Sequence, residues 1–375
     1  MDTAPPRTAL VHDWLTGMRG GEKCLEVLCE LYPDAPIHTL LAYPDRLSAI
    51  LRAREIHTSF LQHMPGVERR YRYYLPLYPT AIRHFDFRSY DLILSSSHAV
   101  AKGVRVPDGT LHISYVHTPM RYIWDMFDQY FNRATMGMAS LALIRLVSAW
   151  LRRWDVRTAD SVHHFIANSH YVADRIRRIY GRESTVIHPP VDVHRFACSD
   201  THDGGYLVVS ALVPYKRVDL AIAAATREGF PLRIVGEGPE RARLESLAGP
   251  TVRFDGALDD AGIADAYASC RALLFPGEED FGIVPVEAMA CGKPVIAFGR
   301  GGATESVIDG RTGLHFLEQT VDSLVDAVIR LEHAHFDAAD IRAQALRFDR
   351  EIHRERIASF VDEKWMAWRK TARPR

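Results

Sequence analysis

The chain has 375 residues, of which 47% are hydrophobic and 25% are charged, an ordinary composition for a globular protein. Its formal net charge of −1 gives no global reason to expect a nucleic-acid partner, and its length predicts two or three domains. The five cysteines form no Cys-x-x-Cys pair, so they indicate neither a disulfide framework nor a zinc site.

Short apolar runs alternate with helical patterns along the first half of the chain. The opening letters MDTAPPRTALVHDW lack a basic stretch followed by an apolar run, so we expect no signal peptide. Thr8–His12 has the pattern of a buried strand, and a helix over Gly20–Leu31 follows it. Further strands are predicted at 91–95, 112–116 and 164–168, with a helix at 169–180.

A stretch rich in Pro, Asp, His and Gly interrupts this alternation at residues 188–204 and has the composition of a linker. The alternation then restarts with a helix at 217–227 and five predicted strands: 205–210, Leu232–Val235, 252–254, Ala272–Phe275 and Val295–Phe298. The pattern indicates an α/β protein with two domains, 1–190 and 205–348, each a parallel sheet covered by helices. Two such sheets facing each other make a cleft, and ligands bind beyond the carboxyl ends of the strands.

The segment from 277 to 292 is the most informative of these strand-to-helix connections. Pro285 suits the first turn of a helix and Gly292 suits its end. A loop followed by a helix N-terminus presents backbone N–H groups to an anion, here most naturally a phosphate. The N–H groups in question belong to Phe281, Gly282 and Ile283.

Two carboxylates flank that loop, Glu279 within it and Glu287 eight residues later, in what we expect to be the first helical turn. One could bond the hydroxyls of a sugar and the other a ribose diol. Glu287 alone is equally well explained as a favourable charge near a helix N-terminus.

The run Glu279-Asp-Phe-Gly-Ile-Val-Pro-Val-Glu287 resembles the E-x7-E signature of the retaining glycosyltransferases of family 4. That family has the GT-B fold, two Rossmann-like domains that face each other across a cleft. The resemblance extends over nearly the whole chain, and it implies that a helix at 350–375 crosses back to the first domain. It also places Val284 with the loop residues that bind the donor.

Lys216 and Arg217 follow a predicted strand, where two cations can neutralise a leaving diphosphate. The resemblance identifies Lys216 as the phosphate-binding lysine. Many family members carry Arg where this chain has Ala211, and we expect Arg217 or another cation to replace it. Glu237, in Gly236-Glu-Gly238, is expected beside the nucleotide base, although a simple turn explains this glycine pair as well.

The first half contributes a second set of candidate residues. Gly20 and Gly21 permit close approach of backbone to a phosphate, or mark no more than a tight turn. The resemblance implies that His117 contacts the donor sugar near the reacting carbon. The acceptor is expected near three polar residues: His12, Asp13 and Arg121.

We expect no metal or other cofactor, because the sequence shows no Asp-x-Asp pair at a plausible strand end and no His/Cys cluster with ligand spacing. The expected reaction transfers a hexose from a nucleoside diphosphate sugar with retention of configuration. Resemblance to mannosyltransferases of envelope polysaccharide assembly favours GDP-mannose as donor and a saccharide or lipid-linked saccharide as acceptor. A GT-B epimerase acting on UDP-N-acetylglucosamine and a non-catalytic nucleotide-sugar-binding protein are the alternatives.

The first half of the chain is also the more basic one. Residues 1–190 carry 23 Lys and Arg against 18 Asp and Glu, whereas the remainder carries 23 against 29. Aromatic and basic residues cluster at 71–74 and 83–85, and residues 141–153 form an amphipathic pattern with Trp150. This predicts a cytoplasmic protein that touches the inner membrane face through its first domain, or else ordinary packing with solvated arginines.

Overall fold

Parallel β-strands form the centre of both halves of the chain. The computed structural model describes residues 5–125, 127 and 138–371, without the side chains of residues 138 and 139. The chain divides into two units: Met1–His188 together with Arg354–Arg375, and Pro189–His353. Each unit is built on one parallel sheet, which confirms the predicted α/β class with two parallel-sheet domains.

The first unit contains seven parallel strands among its described residues, in the order β3-β2-β1-β4-β5-β6-β7. The strands are β1 Thr8–His12, β2 Ile37–Thr39, β3 Ile56–Thr58, β4 Leu92–Ser97, β5 Leu111–Val116, β6 His164–Ala167 and β7 Ser184–Val186. The three strands at the centre, β1, β4 and β5, are buried along their whole length, as expected for a sheet covered on both faces.

Helices cover both faces of this sheet. The α-helices are Gly20–Leu31, Ala49–Arg52, Val67–Arg70, Tyr78–Ile82, Arg121–Trp124, Met138–Ala159, His170–Tyr180 and the closing helix Arg350–Thr371; the 3-10 helices are Pro44–Arg46, Phe60–His63, Tyr71–Leu77 and Ala101–Gly103. Alternate residues of β1 enter two separate cores, because successive strand side chains point to opposite faces. Leu10 packs with Phe360 of the closing helix, whereas Val11 packs in the cluster that contains Tyr78 and Leu151.

The helix His170–Tyr180 shows how local sequence sets these boundaries. Ser169 accepts a hydrogen bond from the backbone N–H of Val172 at 3.0 Å, which satisfies one of the unpaired donors of the first turn. Gly181 then ends the helix in the left-handed region with φ +63°.

The second unit contains six parallel strands, counted over its described residues, in the order β10-β9-β8-β11-β12-β13. The strands are β8 Tyr206–Val209, β9 Leu232–Val235, β10 Val252–Gly256, β11 Ala272–Phe275, β12 Val295–Phe298 and β13 Gly313–Phe316. The α-helices are Val218–Glu228, Arg241–Leu247, Asp260–Ser269, Ile283–Ala290, Ala303–Ser306, Val321–His333 and Ala338–Leu346; the 3-10 helices are Val193–Arg195 and Pro214–Lys216.

The segment 188–204, which the sequence suggests is a linker, packs from Pro189 onward into the second unit. Val191, Val193 and Phe196 are almost fully buried in its hydrophobic core. The polar and Gly/Pro-rich composition of the segment gave no indication that these three side chains are buried. The helix expected at 350–375 is observed over Arg350–Thr371, and residues 372–375 lie outside the described part of the chain.

Within the residues that the structure describes, no helix combines the length and the apolar character needed to cross a membrane.

Candidate functional site

Each sheet has one place where the strand order changes direction. The chain leaves β1 towards β3 and then returns to place β4 on the other side of β1; in the second unit β8 and β11 have the same relation. Ligands of open α/β sheets bind beyond the carboxyl ends of the strands at such switch points. The candidate residues of each unit lie at these two places.

In the second unit, the loops after β8 and β11 bring Lys216 and Glu279 into direct contact. The Lys216 ammonium forms an ion pair with the Glu279 carboxylate, and each side chain is 18% exposed. The loops abut closely, since a Cβ on Gly277 would lie 3.1 Å from both Cα and the carbonyl oxygen of Lys216. A Cβ at 277 would therefore require the Lys216 backbone to move by a few tenths of an ångström.

Arg217 adopts the left-handed conformation with φ +53°, alone among the described non-glycine residues. L-residues other than Gly, Asn and Asp rarely take this conformation because it costs roughly 1–2 kcal/mol. The Arg217 guanidinium lies 3.2 and 3.3 Å from the carboxylate oxygens of Asp219. The strained backbone turns the chain sharply from Lys216 into the helix Val218–Glu228.

Two glycines, Gly301 and Gly302, pack against the backbone of the loop that carries Glu279. The backbone N–H of Gly302 donates to the carbonyl of Glu279 at 2.8 Å. A Cβ on Gly302 would lie 2.2 Å from Cα of Phe281, so only glycine permits this approach. The path of the loop is thus set by backbone packing rather than by its own charged side chains.

The helix that follows begins at Ile283, after Gly282 with φ +86°. The first N–H groups of a helix, here including those of Ile283 and Val284, have no intrahelical partner and form an anion site. The Phe281 side chain is 3% exposed, and its ring centroid lies 5.4 Å from that of Phe348. Phe281 can therefore offer a ligand only its backbone.

Glu287 lies in the second turn of this helix, not in the first as expected, because the helix starts at Ile283 and not nearer to Pro285. The Tyr267 hydroxyl donates to Glu287 Oε2 at 2.9 Å, and Arg195 Nη2 lies 3.8 Å from Oε1. Burial, followed by the nearby Glu287 charge, raises the pKa of Tyr267 well above its ordinary value, so the phenol remains a donor. Neither partner was identified from the sequence.

Glu237 follows β9 in a loop that is bonded to the loop after β8. Leu212 N–H donates to the Glu237 carbonyl at 2.9 Å, and Glu240 N–H donates to the Leu212 carbonyl at 3.1 Å. The Glu237 carboxylate pairs with the guanidinium of Arg241. Ala211, at the position where many family members carry Arg, is exposed beside these bonds. Because the bonds join backbone atoms, they do not depend on the side chain at 211.

In the first unit, three side chains meet at the switch point between β1 and β4. His12 Nδ1 lies 3.1 Å from Ser96 Oγ, and Ser96 Oγ lies 2.8 Å from His117 Nε2. Burial lowers the pKa of His12 to about 3, with a smaller effect from His98, so this ring is neutral at ordinary pH. Ser96 was not identified from the sequence, because a serine in a buried strand carries no recognisable pattern.

Gly20 and Gly21 open the helix that follows β1. A Cβ on Gly21 would lie 3.4 Å from His12 Cε1 and 3.6 Å from His117 Nε2, so this glycine packs against both rings. The Glu22 carboxylate accepts from Arg19 N–H at 3.1 Å and completes the helix cap.

Asp13 is fully buried, and its two oxygens accept hydrogen bonds from four consecutive backbone N–H groups at 2.6 to 2.9 Å. Those donors belong to His98, Ala99, Val100 and Ala101. This arrangement favours a role in holding the loop after β4 over the direct contact with an acceptor that the sequence suggested.

The loop after β5 carries His117, is followed by Arg121, and is fixed by one residue after β6 and one in the helix His170–Tyr180. Asn168 donates to the His117 carbonyl at 2.9 Å, and Arg175 donates to Thr118 Oγ1 at 2.6 Å. Arg175 is 4% exposed and also pairs with Asp125. Arg121 is half-buried at the start of the helix Arg121–Trp124.

Across the part of the chain that is described, no three or more His, Cys, Asp or Glu side chains are grouped so that they could hold a metal ion. His12, His98 and His117 lie near one another, with ring centroids 5.7 to 6.5 Å apart.

Comparison with known families covers most of the chain. Residues 18–195 match the family model described as Glycosyltransferase Family 4, and residues 199–347 match the one described as Glycosyl transferases group 1. A GDP-mannose-dependent alpha-mannosyltransferase of Mycolicibacterium smegmatis is 36% identical over 190 residues, which cover 48% of each protein. A D-inositol 3-phosphate glycosyltransferase of Catenulispora acidiphila is 31% identical over 192 residues, or 42% of this chain and 45% of that protein. The chain thus matches about half the length of these relatives.

Solved structures resemble the fold over almost the whole chain. Anabaena Alr3699/HepE in complex with UDP has a TM-score of 0.70 and 20% identity, over 95% of this chain and 100% of that one. Sucrose-phosphate synthase from Thermosynechococcus elongatus has a TM-score of 0.70 and 19% identity, over 96% and 100%. At these identities the likeness concerns the fold.

Proposed function

Because the chain belongs to the glycosyltransferases of family 4, which have the GT-B fold, we propose that it transfers a hexose from a nucleoside diphosphate sugar to a saccharide or lipid-linked saccharide. The observation that supports this most directly is the Lys216–Glu279 pair at the switch point of the second sheet, beside the helix that begins at Ile283. A cation, a carboxylate and a helix N-terminus in one place match a diphosphate joined to a sugar.

The ion pair has a consequence for binding. A diphosphate that binds at the helix N-terminus competes with Glu279 for the Lys216 ammonium. When Lys216 turns to the phosphate, the Glu279 carboxylate is released to accept hydrogen bonds from sugar hydroxyls. Glu287, oriented by Tyr267, is suited to the ribose diol.

The proposed chemistry is front-face substitution with retention of configuration. The bond between the anomeric carbon and the diphosphate oxygen breaks, the bond to the acceptor oxygen forms on the same face, and the acceptor proton passes to the departing phosphate. Lys216, the loop N–H groups and, in our proposal, Arg217 stabilise the charge that develops on that phosphate. Glu279 and Glu287 are already engaged by Lys216 and by Tyr267, and neither acts as a nucleophile in this scheme.

We propose GDP-mannose as the donor. The relative from Mycolicibacterium smegmatis is named as GDP-mannose-dependent, which supports this choice, whereas the solved neighbour Alr3699/HepE was crystallised with UDP. The nucleotide is therefore the first property to measure. No step of the scheme passes through a metal ion, so turnover should persist in EDTA.

The test is a panel of GDP- and UDP-sugars, scored for thermal stabilisation and for products by NMR. We expect stabilisation by one nucleotide, an α-linked product from an α-linked donor, and a loss of about 100-fold in kcat/KM for Lys216→Ala. Lys370→Ala, at an exposed position of the first unit, should leave turnover unchanged.

Three results would contradict the proposal. A product of inverted configuration would exclude retention. A sugar that changes configuration while still attached to UDP would identify an epimerase. Nucleotide binding without turnover on any sugar would identify a non-catalytic binding protein.

We further propose that the first unit binds an anionic membrane surface. On the helix Met138–Ala159, Leu143, Leu146 and Trp150 are 61%, 69% and 45% exposed and share one face by their spacing. Exposed arginines adjoin this face at 145, 153 and 157. A face that combines apolar side chains with arginines is complementary to anionic lipid headgroups.

A second exposed segment lies on the same side of the sheet. Tyr73 is 82% exposed and is surrounded in sequence by Arg69, Arg70 and Arg72. Its neighbour Tyr71 packs in the same hydrophobic cluster as Leu151 of the long helix. The two basic segments therefore belong to one layer of the unit, where both can meet one surface.

Sedimentation with vesicles tests this surface. We expect binding to phosphatidylcholine vesicles that contain phosphatidylglycerol, weaker binding at high salt, and a loss of binding for Leu146→Glu. Ile329→Glu places the same charge at a residue of the second unit that is 51% exposed, and it should bind as the wild type does. Equal binding by both variants would contradict the proposed surface.

A further inference from the structure

In the hydrogen-bonded series His12–Ser96–His117, the number of available protons limits which groups can donate and which must accept. Ser96 Oγ lies within hydrogen-bond distance of both imidazoles, at 3.1 Å from His12 Nδ1 and 2.8 Å from His117 Nε2. A serine hydroxyl carries one proton and can donate to only one of them. The ring that does not receive it must itself donate to Ser96. When the hydroxyl proton is donated within the series, the proton position on one histidine sets that on the other.

Burial determines which end of the series donates. His12 is 0% exposed, and among the described residues no partner lies within hydrogen-bond distance of its Nε2. A proton on Nε2 would be a buried donor without an acceptor, which is unfavourable. An unpaired lone pair is tolerated more readily than an unpaired N–H. His12 therefore carries its proton on Nδ1 and donates it to Ser96.

The environment of His12 keeps it neutral, as this argument requires. The groups that face it are His98, His117, Ser96 and the neighbouring Asp13, whose carboxylate accepts four backbone N–H groups and lies 3.2 Å from His98 Nδ1. The low pKa of His12, caused mainly by burial, means that the ring holds a single proton throughout the neutral range.

We propose that His12 and Ser96 are positioning residues that hold His117 in its Nδ1–H tautomer. Ser96 receives the His12 proton and directs its own to His117 Nε2, so the neutral His117 ring carries its proton on Nδ1. The hydrogen bond at one ring nitrogen decides which nitrogen is protonated. Resting on the proposed function, this gives His117 a fixed N–H donor for a substrate, without positive charge on the ring.

The chain provides a matched control one residue away. Ser95 on the same strand lies 2.9 Å from Nε2 of His112, a buried ring that takes no part in the site. Ser95→Ala removes one buried Ser–His hydrogen bond and Ser96→Ala removes two, so both should destabilise the fold, Ser96→Ala by the larger amount. Only Ser96→Ala disconnects His117.

The decisive measurement is the pair of ¹⁵N chemical shifts of His117 in protein labelled at histidine, assigned with His117→Gln. We expect the Nδ1–H pattern in the wild type and in Ser95→Ala, and a shift of population towards Nε2–H in Ser96→Ala. An Nε2–H ring in the wild type, or an unchanged pattern in Ser96→Ala, would overturn the proposal.

Kinetics give a second readout. Once the donor is known, Ser96→Ala should lower kcat by about 10-fold while the donor KM stays within about two-fold, because binding groups remain in place. Ser95→Ala should leave both constants unchanged. Absence of any transfer by the wild type would refute the proposed function and leave the tautomer to be decided by the NMR measurement alone.

Discussion

At the scale of single residues, Asp13 accepts more backbone hydrogen bonds than any other described side chain of the site. One carboxylate accepts four N–H groups from residues 98–101 and so fixes the loop beside the His12–Ser96–His117 series. Hydrogen bonds to a charged group are worth more than neutral ones, about 1.5–3 kcal/mol each. The sequence marked Asp13 as important through its place after β1, but its partners could not be anticipated, since they lie 85 to 88 residues away.

We predict that Asp13→Asn lowers the free energy of unfolding by about 3 kcal/mol, because the amide NH₂ replaces an acceptor with a donor that faces backbone N–H groups. Urea unfolding followed by tryptophan fluorescence measures the change. Asp34→Asn, at an exposed position of the same unit, should be neutral. Equal stability of the two variants would show that the four bonds contribute little.

Tyr267 is a second residue whose role emerges only from the fold. We predict that Tyr267→Phe raises the donor KM several-fold, because Glu287 loses the hydroxyl that orients it. Tyr206→Phe is the matched control, since it breaks another tyrosine–glutamate bond in the same unit, 2.5 Å from Tyr206 to Glu332. Steady-state kinetics should separate the two variants, and a similar KM in both would remove Tyr267 from the site.

At the scale of elements, the second unit positions its loops by contacts between glycine backbones. Gly301 and Gly302 each lie against a neighbouring loop too closely for a side chain, and Gly277 lies in tight contact with the backbone of Lys216. The sequence predicted the strands and the helix on either side, because their apolar periodicity is local. It did not predict β2, β3 or β7, which are only three residues long, or β13. Of these, β3, β7 and β13 lie at sheet edges, and strands this short are defined by their neighbours rather than by a pattern of their own.

We predict that Gly302→Ala weakens donor binding by at least 10-fold, since its Cβ would displace the loop that carries Glu279. Gly229→Ala is the control. It introduces strain at φ +75° with nothing within 4 Å of the new Cβ, so it should lower stability and leave affinity intact. Isothermal titration with the preferred nucleotide distinguishes the two effects. A Gly302→Ala protein with normal affinity would mean that the loop adapts.

At the scale of the whole molecule, different probes follow the unfolding of the two units. All six tryptophans, at 14, 124, 150, 154, 365 and 368, belong to the first unit. Tryptophan fluorescence therefore follows the unfolding of that unit, whereas nucleotide-dependent stabilisation follows the second. The unit boundaries could be approximated from the sequence. The second unit begins at Pro189 and not at 205, because buried hydrophobic residues of segment 188–204 belong to its core.

The first unit should be sensitive to acid. Burial lowers the pKa of His12 and His112 to about 3 and that of His38 to about 4. In the unfolded chain these rings bind protons below pH of about 6.5, so between that pH and about 4 the unfolded state holds more protons. Stability must fall as the pH falls through this window. Glu22, whose pKa burial raises to about 7, contributes in the opposite direction and offsets one histidine.

We predict that the urea midpoint measured by fluorescence drops between pH 7 and pH 5. His112→Gln should reduce this pH dependence, because one buried ring no longer has to remain neutral, while His63→Gln at an exposed position should not. A midpoint independent of pH would mean that these rings titrate alike in both states.

The closing helix has a consequence for the order in which the protein is made. Its Ile357, Phe360 and Val361 complete the core of the first sheet, yet they leave the ribosome after every residue of the second unit. Domains usually fold in the order of their synthesis. Here the unit that is synthesised second, Pro189–His353, is continuous and can finish first, whereas the nascent first sheet keeps an apolar groove open until the closing helix has been made. Cellular chaperones that shield apolar surface would act on this groove during that interval.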